Sequence, residues 1–216
     1  RSLRAAPPVP EPTRRAIAPE VWKRIFARLP FTLNPEQLGA VAQCQADLAR
    51  GMRLQRLLHG EVGSGKTAVA FALALAIAAE GGQVALLAPT EILARQHLAR
   101  FRGWLAGARV PVLGLLGDDA PAARAAVMRA LVSAQAALVV GTHALFGPDV
   151  RFADLRLVIF DEQHRFGVRQ KATLLAKGAA PHVLTMTATP IPRTLAWARY
   201  GTLDACVLRA RAGTSA

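Results

Sequence analysis

The sequence predicts an α/β fold: a mostly parallel central sheet of about seven strands, flanked by helices in three layers. Three observations carry that prediction. From Leu54 onward, short apolar runs alternate with longer stretches of helical periodicity, the rhythm of strand, helix, strand units around a parallel sheet. Leu157-Val158-Ile159-Phe160 is apolar at every position, as a strand buried on both faces must be. At 216 residues and 22.9 kDa the chain can also bury a real core, with roughly 70% of its unfolded surface removed from water.

The elements follow in order. Residues 1–20 hold Pro7, Pro8, Pro10, Pro12 and Pro19 with scattered Arg and no apolar periodicity, which reads as an extended linker ahead of a domain over 21–216. Val21, Ile25 and Leu29, with Trp22 and Phe26 beside them, recur at helical spacing and stop at Pro30. A second helix starts at Asn34, with Pro35 as its first residue and Gln37 three places after the cap, and runs through Val41 and Leu48. Strands are expected at Leu54–Leu58, Gln83–Ala88, Pro111–Leu116, Ala137–Val140, Leu155–Phe160, His182–Met186 and Leu203–Leu208. Helices are expected between them at Lys66–Glu80, Glu91–Trp104, Ala120–Ser133, Val168–Ala176 and Arg193–Tyr200.

Composition narrows the function classes. An apolar fraction of 52% with 19% charged residues excludes a disordered chain, and two cysteines, Cys44 and Cys206, exclude a disulfide scaffold. An intracellular, reducing compartment is expected. The longest apolar run, Ala68 to Ala79, is about half of the ~20 residues a bilayer crossing needs, so no membrane partner is expected. The chain opens on Arg1 without a charged-then-apolar leader and reads as a piece of a longer protein. A formal charge of +13 favours a polyanionic partner, nucleic acid first, although 23 of the 27 basic residues are Arg, a skew that coding composition alone can produce.

Directly after the first strand, Gly60-Glu61-Val62-Gly63-Ser64-Gly65-Lys66-Thr67 matches G-x-x-x-x-G-K-[ST] at every fixed position, and a helical apolar run follows at once. Gly60, Gly63 and Gly65 allow the wrap that turns backbone amides, Ser64 among them, inward; the helix adds its positive N-terminal end. Lys66 is expected to reach the β and γ phosphates of ATP, and Thr67 to offer its hydroxyl to Mg²⁺. The loop alone does not say how the nucleotide's energy is used.

At the carboxyl end of the Leu157–Phe160 strand stand Asp161 and Glu162, followed by Gln163 and His164. Parallel sheets place their ligands at that end of their strands. Asp161 is suited to hold the Mg²⁺ shell and Glu162 to orient the water that attacks the γ phosphate, which makes Lys66, Asp161 and Glu162 the candidate catalytic set of a hydrolase.

Assembled, the blocks resemble the superfamily 2 helicases, and within them the ATP-dependent helicases that remodel branched DNA. The carrying residues are Leu29-Pro30-Phe31 with Gln37, the loop from Gly60 to Thr67, Pro89 to His97, Gly141 to Leu145, Asp161 to Val168, and Met186 to Leu195. The resemblance implies a RecA-like first motor lobe, a P-loop NTPase fold. It implies adenine recognition by Phe31 and Gln37, DNA contacts from Thr90, Arg95, Gln96, Thr142 and His143, and coupling between nucleotide and DNA through His164, Thr187 and Thr189. His143 is not expected to hold a metal, because no second His or Cys stands at a ligand-like spacing from it. Most members of the family carry Asp where Glu61 stands and Thr where Asn34 stands; the first replacement preserves the charge sign and the second the capping ability.

Nothing after Leu195 resembles the family's second motor lobe, and no N-terminal wedge domain precedes the first block. The family's transition-state arginine sits on that second lobe and is worth roughly 10³ to 10⁵ in turnover, so the expectation is a nucleotide-binding half that hydrolyses little by itself. The second lobe, the wedge, and duplex and branched DNA are the implied partners, in the cytoplasm of a bacterium and at its nucleoid. Three other readings stay open: the motor lobe of a transcription-repair coupling factor, a non-catalytic ATP-responsive nucleic-acid clamp, and a small-molecule P-loop kinase.

Overall fold

The structure, a computed structural model, describes residues 17–51, 53–162, 166–189 and 204–209. Most of the expected linker, His164, the stretch from Pro190 to Leu195 and the helix expected at Arg193–Tyr200 lie outside the described residues.

Two helices come first, α1 (Pro19–Arg28) and α2 (Pro35–Ala49). Then follow β1 (Gln55–Gly60), α3 (Lys66–Ala79), β2 (Gln83–Leu87), α4 (Glu91–Trp104), β3 (Val112–Leu115), α5 (Pro121–Val132) and β4 (Ala137–Gly141). A 3₁₀ turn (His143–Phe146), β5 (Leu155–Asp161), α6 (Val168–Leu175), β6 (His182–Thr187) and β7 (Asp204–Leu208) complete the order. The expected strands and the described helices lie within two residues of these bounds.

The strands form a seven-stranded sheet in the order β3-β4-β2-β5-β6-β1-β7, and every pairing is parallel. Its connectivity decides where the site falls. After β1 the chain crosses to β2, three places away, and β5 and β6 later return to fill the gap. The crossing leaves β5, β6 and β1 side by side with their carboxyl ends together, at the point where parallel sheets open a crevice for ligands.

Side-chain alternation divides the core between the two faces. Val84, Leu86, Leu138, Val140, Leu157, Ile159, Leu184 and Met186 join the larger cluster, under residues of α1 to α4. Ala85, Leu87, Leu115, Val139, Val158 and Phe160 face the other side, with Leu131 of α5, Leu145 of the 3₁₀ turn and Leu174 of α6. Helix α3 is buried at every residue from Ala68 to Ala78, because α1 and α2 pack over it against the sheet. Its alternating Ala residues keep it slim enough for that position.

α2 begins as its sequence dictates. The Asn34 carboxamide accepts from the Gln37 amide N–H at 2.8 Å, and Gln37 Oε1 accepts from the Asn34 N–H at 3.0 Å. Its far end is tied to β1 by a buried ion pair between Asp47 and Arg56.

Candidate functional site

The glycine-rich loop connects the end of β1 to the start of α3. Gly63 and Gly65 have φ of 86° and 88°, in the left-handed region where a side chain is strained. Gly60 is needed for a different reason: a Cβ there would lie 2.5 Å from the Leu208 carbonyl oxygen on β7. Gln37 Nε2 donates to the Ser64 carbonyl oxygen at 3.0 Å, so the cap of α2 also braces the loop. Ser64 Oγ is buried without a hydrogen-bond partner among the described residues.

Lys66 lies in the first turn of α3, and its ammonium donates back to the carbonyl oxygens of Gly60 and Glu61. Burial pulls its pKa below the ordinary lysine value, against the opposing charges of Glu162 and Asp161. The charges of both carboxylates thus act on the ammonium, as a site for a metal–triphosphate requires. Thr67 stands beside Lys66, half-buried.

The two carboxylates are held by different elements. Asp161 ends β5, level with Met186 of β6, and its Oδ2 meets His97 Nε2 of α4 at 2.8 Å. Glu162 follows with φ of 49°, a left-handed conformation that costs a non-glycine residue roughly 1 kcal/mol or more. In that conformation Glu162 Oε1 accepts from the Ala188 N–H at 2.8 Å and Oε2 from Thr187 Oγ1 at 3.0 Å. Thr187 Oγ1 also lies 2.9 Å from Thr189 Oγ1, so of the two expected coupling threonines Thr187 bonds the acidic strand end itself and Thr189 bonds Thr187. These residues fit a triphosphate with a divalent cation: a glycine cradle, a half-buried ammonium and two successive carboxylates at a strand end. Among the described residues there is no cluster of three or more His, Cys, Asp or Glu that could hold a metal ion.

Phe31 is 40% exposed and edge-on to Trp104, with ring centroids 5.3 Å apart, and Trp104 packs in turn on Phe71. The ring therefore has a fixed mount and a face left for stacking. It borders a surface cavity of about 540 Å³ that Phe26, Leu29, Leu33 and Leu38 also line. Gln37 spends its oxygen on the cap and one amide hydrogen on Ser64, which leaves one hydrogen for a base edge.

The expected nucleic-acid contacts sit on two neighbouring edges. Thr90 caps α4, accepting from the Leu93 N–H at 3.3 Å, and keeps its own hydroxyl hydrogen to donate. Arg95 and Gln96 are exposed on α4, but Arg95 Nη2 is paired with both oxygens of Asp118 at 2.7 and 2.6 Å. That pair is exposed on both sides, worth about 1 kcal/mol or less, and a phosphate can displace it. Thr142 is buried at the end of β4, while His143 is exposed and its ring touches Phe146 and Phe166, each at 5.8 Å.

Sequence reasoning gave His97 no role beyond membership of a block. Its signal was present: the spacing of Ala94, His97, Leu98 and Phe101 puts an ionisable ring on the buried stripe of an amphipathic helix. The Asp47–Arg56 pair and the Gln37–Ser64 contact were missed as well.

The DEAD/DEAH box helicase family matches residues 35–196. The ATP-dependent DNA helicase RecG of Acidithiobacillus ferridurans is 50% identical over 191 residues, covering 88% of this chain and 28% of that protein. RecG of Treponema pallidum is 47% identical over 198 residues, with 88% and 29% covered. The chain thus spans under a third of the length of these relatives. Among solved structures, RecG bound to a three-way DNA junction superposes with a TM-score of 0.82 at 36% identity, over 94% of this chain and 27% of that one. A DNA-bound DUF1998 helicase, MrfA, shares the fold at a TM-score of 0.65 and 21% identity. No helix among the described residues is long and apolar enough to cross a membrane.

Proposed function

The chain belongs to the DEAD/DEAH box helicase family, and from that premise we propose that it is the nucleotide-binding lobe of an ATP-dependent DNA helicase that remodels branched DNA in repair and recombination. One observation carries the reading: Lys66 follows β1, Asp161 ends β5 with Glu162 after it, and these two strands flank β6, so all three stand at the carboxyl end of the sheet, where the charges of both carboxylates act on the ammonium. The names of the relatives favour a branched-DNA helicase over a transcription-repair motor. The paired carboxylates favour hydrolysis over a passive clamp or a metabolite kinase.

In this reading residues 1–20 link to a preceding wedge and 21–216 form the lobe. The loop amides and Lys66 hold the triphosphate, with the ammonium exchanging the carbonyls of Gly60 and Glu61 for phosphate oxygens. Thr67 and Asp161 hold Mg²⁺, which when bound neutralises charge on the β and γ phosphates. Glu162, fixed by Thr187 and Ala188, orients the attacking water and accepts its proton. Phe31 stacks on the adenine and the remaining Gln37 hydrogen meets the base edge. Thr90, Arg95, Gln96, Thr142 and His143 grip DNA phosphates, with Arg95 leaving Asp118 to do so. Thr187, Thr189 and His164 carry the nucleotide state toward that grip. A second lobe supplies the missing arginine, and the assembled protein works on bacterial DNA in the cytoplasm.

The test is ATP hydrolysis by the full-length protein in the presence of branched DNA. Glu162→Gln lowers turnover by about 10²- to 10⁴-fold, the share a positioned base supplies, and leaves nucleotide binding intact. An unchanged rate overturns the proposal.

A further inference from the structure

We propose that His97 is a positioning residue for Asp161, and that through it α4 has a direct link to the metal-holding end of the nucleotide site. The inference rests on the reading of Asp161 as a magnesium ligand. Its starting point is the different support of the two carboxylates. Glu162 is held by β6, through Thr187 and Ala188. Asp161 is held by α4: among the described residues His97 Nε2, at 2.8 Å from Oδ2, is its one side-chain hydrogen-bond partner, and Oδ1 has none.

The contact is built into the fold. The two side chains are 7% and 14% exposed, and the His97 ring packs against Phe101 with centroids 5.8 Å apart. An ionised carboxylate only accepts, so Nε2 is the donor in this contact. Nδ1 is buried without a hydrogen-bond partner among the described residues, so none of them competes with Asp161 for the ring. A fixed donor on one oxygen orients the carboxylate and leaves the other oxygen for a cation, the service that outer partners render to metal ligands.

The helix gives the contact a further use. Ala94, Leu98 and Phe101 bury the inner face of α4 against the core, so the helix moves as a unit. Arg95 and Gln96 precede His97 in sequence and point to solvent. A shift of α4 on its nucleic-acid side therefore reaches Asp161 through a single hydrogen bond, independently of the Thr187–Glu162 contact.

The experiment measures the affinity of the full-length protein for a fluorescent non-hydrolysable ATP analogue across a Mg²⁺ titration, with and without branched DNA. His97→Leu keeps the buried volume and removes the donor; His97→Gln keeps a donor. His97→Leu is expected to raise the Mg²⁺ concentration at half-saturation by about 10- to 100-fold, as loss of an outer partner does. His97→Gln restores most of it, and in an Asp161→Asn background His97→Leu adds nothing. DNA shifts the half-saturation point in the wild type and in His97→Gln but not in His97→Leu. Wild-type half-saturation in His97→Leu, failure of His97→Gln to recover, or an undiminished DNA shift in His97→Leu overturns the inference. If the wild-type affinity shows no dependence on Mg²⁺ at all, it is the nucleotide reading that fails. Melting temperatures without nucleotide identify any variant that does not fold, and the Gln and Leu variants are then compared at equal folded fraction.

Discussion

Removal of the Asp47 carboxylate should destabilise the chain far more than removal of any surface charge. Asp47 and Arg56 are 5% and 7% exposed. Arg56 Nε bonds Asp47 Oδ2, Nη2 lies 3.0 Å from Oδ1, and Nη1 lies 2.9 Å from Gln43 Oε1 and 3.6 Å from Cys206 Sγ. Burial alone would pull the Arg56 pKa down, but the hydrogen bond and charge of Asp47 outweigh it and the net shift is upward. In Asp47→Ala the guanidinium stays buried beside a neutral amide and a thiol, with Asp204 at 3.8 Å as its remaining counter-charge. Breaking a buried pair in this way costs about 3–5 kcal/mol. With a urea slope of roughly 2 kcal/mol/M, the unfolding midpoint should fall by about 1.5–2.5 M. Asp204→Ala is the control. Its side chain is 74% exposed, so its loss should cost under about 1 kcal/mol. Replacing both buried partners, Asp47→Leu with Arg56→Met, should recover most of the deficit. Equal midpoints for Asp47→Ala and Asp204→Ala would refute the assignment of this pair as the anchor of α2 on β1.

Gly65→Ala should lower the melting temperature and abolish nucleotide binding, because φ of 88° strains any L side chain and the added methyl would meet the Gln37 amide; the strain alone costs about 1–2 kcal/mol. Gly39→Ala, in the interior of α2 with open space around its Cβ, should raise stability by about 0.5–1 kcal/mol in the same melting assay. Burial first, and the neighbouring Cys206 second, push the Cys44 thiol up to about 12. Between pH 9 and 12 the folded chain then keeps a proton that the unfolded chain has lost, so stability falls as pH rises, by about 1.4 kcal/mol per pH unit. Urea titrations at pH 8 and pH 11 should show that loss in the wild type and a smaller one in Cys44→Ala. Thr187→Val removes the donor to Glu162 Oε2. It should leave nucleotide affinity unchanged and cut turnover of the full-length protein about tenfold, or ~1.4 kcal/mol; an unaltered steady-state rate counts against the support role.

Much of this was legible along the chain, for local reasons. Strands buried on both faces announce themselves as continuous apolar runs, such as Leu157 to Phe160 and Ala137 to Val140, which is why β5 and β4 fell where expected. Asn34, Pro35 and Gln37 describe a capping box from spacing alone, and the loop from Gly60 to Thr67 fixes its own backbone through glycine. Asp161 and Lys66 could be brought together in advance because parallel sheets collect ligands at one end of their strands. What escaped were pairings set by strand order and helix rotation. His97 and Asp161 are 64 positions apart, and Gln37 and Ser64 are 27 apart. Spacing gives no distance between such residues until β5 is known to lie beside β2, the strand that α4 follows in the chain. Glu162 in a left-handed turn was equally invisible, since its conformation is imposed by β6 and not by its neighbours in sequence.

A crystal structure of the chain grown with a non-hydrolysable ATP analogue and Mg²⁺ tests the central claim most directly. The account predicts the triphosphate wrapped by residues 60–67, Lys66 Nζ on its β and γ oxygens, and the cation between Thr67 and Asp161 with Glu162 beside the terminal phosphate. Density for the triphosphate away from the loop, or a cation with neither Thr67 nor Asp161 in its coordination sphere, would contradict it.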